Sequence, residues 1–263
     1  EGNFWGRTIA AISSSSDPSS YQNFGPFVPG FKQIPYNDID ALEAALQNKN
    51  VAAFMVEPIQ GEAGVIVPDN GYLKAAYELC KRHHVLLIAD EIQTGLSRTG
   101  KLLASDYDDV RPDILMLGKA LSGGVMPISA VLCDDDIMNT IKPGEHGSTF
   151  GGNPLACVVA VAALSVLRNA YQMGQLFRSE LEKINTPFIS VVRGKGLLNA
   201  IEVTHQNPNA AWDFCLVLKE NGLLAKPTHG NKIRFAPPLI ISRDQILESI
   251  AIIKKSLDQF LAV

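Results

Sequence analysis

The chain of 263 residues has few of the features that mark nucleic-acid-binding or membrane-spanning proteins. Its 23 basic residues are outnumbered by 27 acidic ones, and they form no basic block interleaved with aromatic side chains. Nucleic acid is therefore a poor candidate partner. No apolar stretch approaches the roughly 20 residues that a membrane-spanning helix needs, so a membrane is not an expected partner either.

Cysteine is scarce as well. The four cysteines lie far apart without a C-x-x-C pair, and the five histidines show no ligand spacing. Neither a disulfide framework nor a zinc site is indicated, and we predict no other metal site. Unpaired thiols favour a reduced intracellular compartment, either the cytoplasm or the mitochondrial matrix.

Two short apolar runs end abruptly in ionisable side chains. Residues 85–89 (VLLIA) stop at Asp90, and residues 114–117 (ILML) stop at Gly118 and Lys119. Continuous apolar runs of this length predict strands that are buried on both faces of a parallel sheet. Because ligands bind outside the carboxyl ends of such strands, an acid and a lysine are expected at a ligand site.

An aspartate and a lysine in this arrangement indicate pyridoxal phosphate (PLP) chemistry. The lysine amine can attack the cofactor aldehyde, and the aspartate can hold the ring nitrogen protonated. The small neighbours Gly118 and Ala120 leave room for a planar ring, and burial would favour the neutral amine. Ile92 could pack on one ring face, and Gln93 could bond the ring oxygen.

Lys119 taken alone is also compatible with simpler roles. Many strands of α/β proteins end in Asp or Lys only because the chain leaves the core there. A phosphate-binding loop fails on spacing, because no glycine lies five residues before Gly118 and Ala-Leu follows the lysine. A dinucleotide-binding fingerprint is also absent.

The remaining pattern predicts an α/β domain followed by a smaller α+β domain. Residues 1–168 are assigned to the C-terminal portion of a cofactor-binding large domain, and residues 169–263 to a small domain. Helix 155–167 is apolar nearly all round, which predicts burial. The predicted strands are 7–12, 51–56, 85–89, 114–117, 128–133, 190–192, 199–203 and 232–235, and the predicted helices are 38–47, 72–83, 155–167, 173–184, 210–221 and 243–261.

Seven motifs follow one another along the chain: GNFWGRT, VEPIQGEAGV, ADEIQTGLSRTG, LGKALSGG, GEHGSTFGGNPLA, RGKGLLNAIE and IRFAPPL. As an ordered set they resemble the ornithine aminotransferase family, a group of class III PLP-dependent aminotransferases of fold type I. The resemblance covers essentially the whole chain. It implies an α/β fold with a mostly parallel sheet flanked by helices, and a smaller C-terminal α+β domain.

The resemblance implies a set of cofactor contacts. Lys119 would be the Schiff-base lysine and the proton shuttle, and Asp90 would pair with the pyridinium nitrogen. Phe4 would stack on the ring, with Ile92 on the opposite face. Gln93 fits the ring oxygen, as its place after the strand already suggested.

Further implied roles concern a neighbouring subunit and the substrates. Ser148 and Thr149 would reach the cofactor phosphate of the other subunit, so a homodimer is expected. Arg7 and Arg234 would bind substrate carboxylates, since a guanidinium matches a carboxylate bidentately. Glu62 would pair with Arg234.

The implied reaction moves the δ-amino group of ornithine to 2-oxoglutarate and gives glutamate semialdehyde and glutamate. Class III enzymes for acetylornithine or 4-aminobutyrate share Lys119 and Asp90 and stay open as alternatives, as does a non-catalytic protein on this fold. We expect an N-terminal part to be missing, with the family's glycine-rich phosphate loop and an aromatic residue that helps to choose the substrate. The connection at residues 168–171 also looks short for the family.

Overall fold

The computed structural model describes residues 1–165 and 170–262, which group into two units. The first unit contains residues 1–59, 68–96 and 103–165, and the second contains residues 60–67, 97–102 and 170–262. The predicted boundary at residues 168 and 169, and the start of the short connection, lie outside the described residues. The domain division therefore stays a prediction, and the two short segments 60–67 and 97–102 group with the second unit.

A four-stranded sheet organises the first unit. Its strands lie in the order β1 (Ala53–Val56), β2 (Leu86–Asp90), β3 (Ile114–Leu117) and β4 (Ala130–Cys133). The first three strands are parallel, and β4 is antiparallel to β3. The prediction of a mostly parallel sheet is confirmed, and the carboxyl ends of β1, β2 and β3 meet at one edge.

Helices flank this sheet. They are α1 (Ile9–Ser13), α2 (Pro18–Tyr21), α3 (Ile39–Leu46), α4 (Tyr72–Arg82), α5 (Asp135–Met138) and α6 (Pro154–Leu164), with 3-10 helices at Ser105–Tyr107 and Lys119–Ser122. Helix α3, predicted at residues 38–47, begins where the Asp38 carboxylate caps it by accepting the Ala41 N–H at 2.8 Å. Helix α4 buries Leu73, Leu79 and their neighbours and connects β1 to the parallel strand β2.

The strand predicted at residues 7–12 is wrong, because this segment forms α1. The Thr8 hydroxyl accepts the Ala11 N–H at 3.3 Å and caps the helix, while Ala11 and Ile12 turn into the core. Asp17 caps α2 in the same way, with Pro18 at the first helical position. A single buried turn has too few apolar residues to show a helical period, so its local caps were the only available signal.

The predicted burial of the apolar helix is also wrong for this chain. Helix α6 buries only Ala156 and Ala160, while Val158 and Val161 are each 69% exposed. Its buried face packs on the 3-10 helix at Lys119–Ser122. An all-round apolar helix needs cover on every side, and the described chain covers one of them.

The second unit has an antiparallel sheet in the order β5, β6, β8 and β7. The strands are β5 (Ile189–Lys195), β6 (Leu198–Val203), β7 (Lys226–Thr228) and β8 (Lys232–Phe235), and the helices are α7 (Ala170–Glu182), α8 (Ala210–Glu220) and α9 (Arg243–Leu261). The predicted strands and helices of this region are confirmed. The prediction missed β7, whose three residues contain a lysine and a proline and show no apolar alternation.

Aromatic rings form the centre of the second core. Phe188 and Phe214 are fully buried with ring centroids 5.2 Å apart, and Ile233 of β8 and Ile253 of α9 complete the same cluster. Helix α9 begins with a capping box between Ser242 and Gln245. No helix in the described part of the chain combines the length and the apolar character of a membrane span.

Candidate active site

Asp90 is a buried carboxylate at the carboxyl end of β2. It is 3% exposed, and its Oδ1 accepts the backbone N–H of Ile92 at 3.0 Å. Within residues 1–165 and 170–262, this is the only hydrogen bond that the carboxylate accepts. Burial raises the pKa of Asp90, although the Ile92 hydrogen bond and the charge of Lys119 oppose that rise. A cationic group at the second oxygen would therefore be stabilising.

Lys119 lies two residues beyond β3, at the same edge of the sheet as Asp90. It opens a 3-10 helix with a φ of +44°, a left-handed conformation that costs a non-glycine residue about 1–3 kcal/mol. Backbone outliers of this kind cluster at functional sites. The side chain is exposed, whereas the sequence led us to expect a buried amine.

An open cavity of about 460 Å³ lies at Lys119. Residues 126–129 line it together with the lysine, and its size falls within the range of small-molecule sites. Ile92 packs close to Gly118, where an added Cβ would lie 3.3 Å from Ile92 Cγ2. The structure thus brings together Asp90, Ile92 and Lys119 around the end of two neighbouring strands, with the partly buried Gln93 next in the chain.

Glu91 is buried beside Asp90 but has a different environment. It is fully buried and accepts the N–H groups of Ala104 and Ser105 and the hydroxyls of Thr94 and Ser105. These bonds tie the segment after β2 to residues 104–105. The sequence did not predict this role, because adjacent acids at a strand end give no sign of which one has hydrogen-bond partners.

Phe4 and Arg7 are held near the carboxyl end of β1. The Phe4 N–H donates to Oε1 of Glu57, a buried carboxylate that directly follows the strand, at 3.0 Å. The Arg7 guanidinium carbon lies 5.3 Å from the centre of the Phe4 ring, and Arg7 Nη1 donates to Ser20 Oγ at 3.1 Å. Glu57, which the sequence did not single out as a site residue, therefore positions the Phe4 backbone.

Ser148 and Thr149 lie in the exposed segment between α5 and α6. Ser148 Oγ accepts the Gly151 N–H at 3.0 Å. In the described part of the chain, no hydrogen bond or ion pair joins either residue to another predicted site residue. Their implied contact with a cofactor phosphate stays a prediction.

Within the second unit, Glu62 and Arg234 form a salt bridge. Arg234 Nη2 lies 3.3 Å from Glu62 Oε1, and the arginine side chain is 11% exposed. Lys226, which the sequence did not single out, contacts the same carboxylate at 2.8 Å and 3.0 Å. Burial acts to raise the pKa of Glu62, but the Lys226 hydrogen bond and the charge of Arg234 together lower it below its ordinary value.

Among the residues described, no group of three or more His, Cys, Asp or Glu side chains is arranged to hold a metal ion. The cysteines are free: Cys80 and Cys215 are buried, Cys133 is partly buried and Cys157 is exposed.

Comparisons with known proteins all find aminotransferases. The family described as Aminotransferase class-III matches residues 1–257. The Rattus norvegicus protein named ornithine aminotransferase, mitochondrial, is 65% identical over 265 residues, which cover 98% of this chain and 60% of that protein. The chain therefore spans about 60% of the length of the curated relatives that it matches.

Two solved structures resemble the chain closely. One is the ornithine aminotransferase of Toxoplasma gondii, with partial PLP occupancy at its active site, which matches with a TM-score of 0.94 at 56% identity. The match covers 100% of this chain and 63% of the Toxoplasma gondii chain. An acetylornithine aminotransferase of Elizabethkingia anophelis has a TM-score of 0.85 at 60% identity, over 88% of this chain and 63% of that one. These matches confirm the predicted fold type.

Glu91→Gln tests the structural role of the second buried acid. An amide would turn two N–H donors towards N–H and hydroxyl groups, so we expect a loss of about 2–3 kcal/mol in the free energy of unfolding. Chemical denaturation followed by far-ultraviolet circular dichroism measures the loss. Glu78→Gln, on the exposed face of α4, is the matched control and should change stability by less than about 0.5 kcal/mol. Equal effects of the two substitutions would contradict the assignment.

Proposed function

The chain belongs to the class III aminotransferase family, and on that premise we propose that the full-length protein uses PLP to transfer the δ-amino group of ornithine to 2-oxoglutarate. The products are glutamate semialdehyde and glutamate. The observation that carries the proposal is the buried Asp90 carboxylate, which shares a sheet edge with Lys119. The mitochondrial matrix or the cytoplasm is the proposed compartment, since several relatives are named as mitochondrial.

The residues at this edge fit PLP. Asp90 has one oxygen engaged by Ile92 N–H, which leaves the other for a protonated ring nitrogen. Burial raises the pKa of Asp90, and a positive ring nitrogen would lower it again, so the acid and the ring would each stabilise the charge of the other. The cavity at Lys119 has the size for a planar ring.

Each of these side chains has a defined task in the proposed reaction. When bound, PLP supplies an aldehyde that takes up an amino group and a ring that withdraws electrons from the adjacent substrate carbon. Asp90 would keep the proton on the ring nitrogen. Lys119 Nζ would hold the cofactor and move a proton to and from the substrate carbon. Ile92 and Phe4 would restrain the ring, and Glu91 fixes the segment that contains Ile92.

Arg234 and Glu62 are assigned to substrate choice. The guanidinium suits the carboxylate of 2-oxoglutarate, because its fork can make two parallel hydrogen bonds. With ornithine as donor, Glu62 neutralises Arg234, which disfavours an α-carboxylate there and favours entry of the terminal amine. Arg7 is assigned to the other carboxylate contact, and its exposed side chain is available for that role.

A second candidate is transfer from acetylornithine. The Elizabethkingia anophelis structure, 60% identical to this chain, is named as an acetylornithine aminotransferase. The ornithine reaction is favoured because several relatives named as ornithine aminotransferases are 63–65% identical over 97–98% of the chain. Single-turnover rates with ornithine, acetylornithine and 4-aminobutyrate decide between the candidates.

The working unit is proposed to be a homodimer. The described chain leaves Phe150 81% exposed, close in sequence to Ser148 and Thr149, and Leu155 of α6 62% exposed. Large apolar side chains exposed in this way are typical of protein–protein contacts, which supports a second subunit at this face.

Lys119 provides the first test of the function. Borohydride treatment of the PLP-loaded full-length protein should leave a pyridoxyl group on the peptide that contains Lys119, as mass spectrometry detects. Lys119→Ala should lower turnover by at least about a thousandfold, because both covalent attachment and proton transfer are lost. Lys142→Ala, an exposed lysine beyond α5, should change neither result. A pyridoxyl group on any other lysine would overturn the assignment.

Asp90→Asn provides the second test. The amide keeps the shape and can still accept the Ile92 N–H, but it loses the charge that holds the ring nitrogen protonated. The single-turnover rate with ornithine should fall on the order of a hundredfold or more, while the unfolding curve changes little. Asp136→Asn, at an exposed position of α5, is the control. A near-normal rate in Asp90→Asn would refute the proposed role.

Subunit mixing tests the homodimer. A Lys119→Ala subunit and a Ser148→Ala/Thr149→Ala subunit are each expected to be inactive or to hold PLP weakly. Their hybrid should regain one intact site, since the intact lysine would face the intact serine and threonine of the other subunit. Activity and the visible absorbance of bound PLP measure the recovery. Absence of recovery after verified mixing would place the phosphate contacts within one subunit.

A further inference from the structure

Lys226 is the cation nearest to the Glu62 carboxylate. Its Nζ lies 2.8 Å from Oε2 and 3.0 Å from Oε1, so it contacts both oxygens. Arg234 Nη2 approaches Oε1 at the longer distance of 3.3 Å. Glu62 is 22% exposed and is therefore shielded enough from water for its partners to matter. The carboxylate is shared between two cations, of which the lysine makes the shorter contacts.

The register of the second sheet explains why these cations meet. Lys226 of β7 is directly opposite Arg234 of β8 in the antiparallel ladder. Like charges opposite one another repel, and a carboxylate between them offsets the repulsion. Glu62 reaches this position on a short hairpin, which is closed by two backbone hydrogen bonds between Gln60 and Ile66.

The hairpin backbone is held independently of the carboxylate. Arg193 of β5 donates from Nη2 to the Gly64 carbonyl at 2.7 Å and from Nε to the Val65 carbonyl at 2.9 Å. Val65 is fully buried with a φ of +55°, which a β-branched residue adopts only when its surroundings impose it. The Lys232 side chain also lies against Gly64. Only the Glu62 side chain is therefore available to change partner.

We propose that Lys226 is a positioning residue that retains the Glu62 carboxylate while Arg234 binds the carboxylate of the amino acceptor. The inference rests on the proposed function and deepens it. Lys226, Arg234 and Glu62 together carry a charge of +1, which one substrate carboxylate neutralises. Without Lys226, the cluster of Arg234, Glu62 and the bound substrate carboxylate would carry a charge of −1. Glu62 would then be a half-buried carboxylate without a counter-ion, and it would repel the substrate carboxylate.

The side chains suit these two tasks. Arg234 is 11% exposed and offers the planar fork that a carboxylate needs, while Lys226 is 56% exposed on a flexible stem that can follow a rotating carboxylate. Glu62 then needs only to turn from Arg234 towards a lysine that it already contacts. The substrate switch becomes a rotation within one cluster, with no excursion of the hairpin.

The test uses the full-length, PLP-loaded protein and compares its two half-reactions. Lys226→Met should raise the KM for 2-oxoglutarate about tenfold with little change in kcat, because Glu62 then competes for Arg234. The ornithine half-reaction should stay within about twofold. Lys226→Arg should restore the normal KM, and Lys219→Met, which removes an exposed charge on α8, should leave both half-reactions unchanged.

A double-mutant cycle separates positioning of Glu62 from a direct effect of charge on the substrate. In a Glu62→Gln background, Lys226→Met should change the KM for 2-oxoglutarate by less than about twofold, since there is no carboxylate left to retain. An equal effect of Lys226→Met in both backgrounds would overturn the proposal. An unchanged KM in the single variant would overturn it as well.

Binding of glutarate, measured by titration calorimetry, needs no turnover. It distinguishes a failure of the proposed function from a failure of the proposed role of Lys226. Weaker glutarate binding in Lys226→Met, in a protein that does not convert ornithine, would refute the proposed function and retain Lys226 as the residue that positions Glu62 for a dicarboxylate. Normal conversion of ornithine together with unchanged glutarate binding would refute the role of Lys226 alone.

Discussion

The parallel pairing of β2 with β3 is the constraint on which the candidate site depends. It places Asp90 opposite Met116 and carries both strands to the same edge, so the acid that ends one strand and Lys119 beyond the other must meet there. An antiparallel pairing would have sent them to opposite edges. The connection from β1 through helix α4 makes β2 run parallel to β1. The carboxyl end of β1 therefore lies at the same edge of the sheet.

Three acids lie at the carboxyl ends of β1 and β2, and their hydrogen-bond partners differ. Glu57 accepts the Phe4 N–H, and Glu91 is surrounded by donors from residues 94, 104 and 105. Asp90 accepts one backbone N–H, from Ile92. Two of the acids thus stabilise the fold through their hydrogen bonds, and Asp90 is the one that we propose for the cofactor. A buried carboxylate is unfavourable unless it accepts hydrogen bonds. The fold provides several hydrogen-bond donors to Glu91 and one to Asp90.

Carboxylates have two kinds of surroundings in this chain. In the first unit, Glu57 and Glu91 accept hydrogen bonds from backbone N–H and hydroxyl groups. In the second unit, Lys226, Glu62 and Arg234 form one shared cluster whose balance depends on a single carboxylate. A shared carboxylate can respond to an incoming anion, whereas a saturated one such as Glu91 cannot. The exposed apolar side chains of α6 are a separate feature, since they lie on the face of the helix that no described residue covers.

The sequence by itself determined the strand-end positions of Asp90 and Lys119, the capped helix α3, the long helices α8 and α9 and, through its ordered motifs, the family. These features are local: apolar runs, caps and periodicity depend on residues a few positions apart. The tertiary structure alone decided that residues 7–12 form a capped turn of helix, that α6 stays largely exposed, that Glu91 is saturated while Asp90 is not, and that Lys226 reaches Glu62. Lys226 and Glu62 lie 164 residues apart, and their contact exists because the register of β7 on β8 and the docking of one hairpin bring them together. No local pattern encodes a register, since it results from the packing of both strands at once.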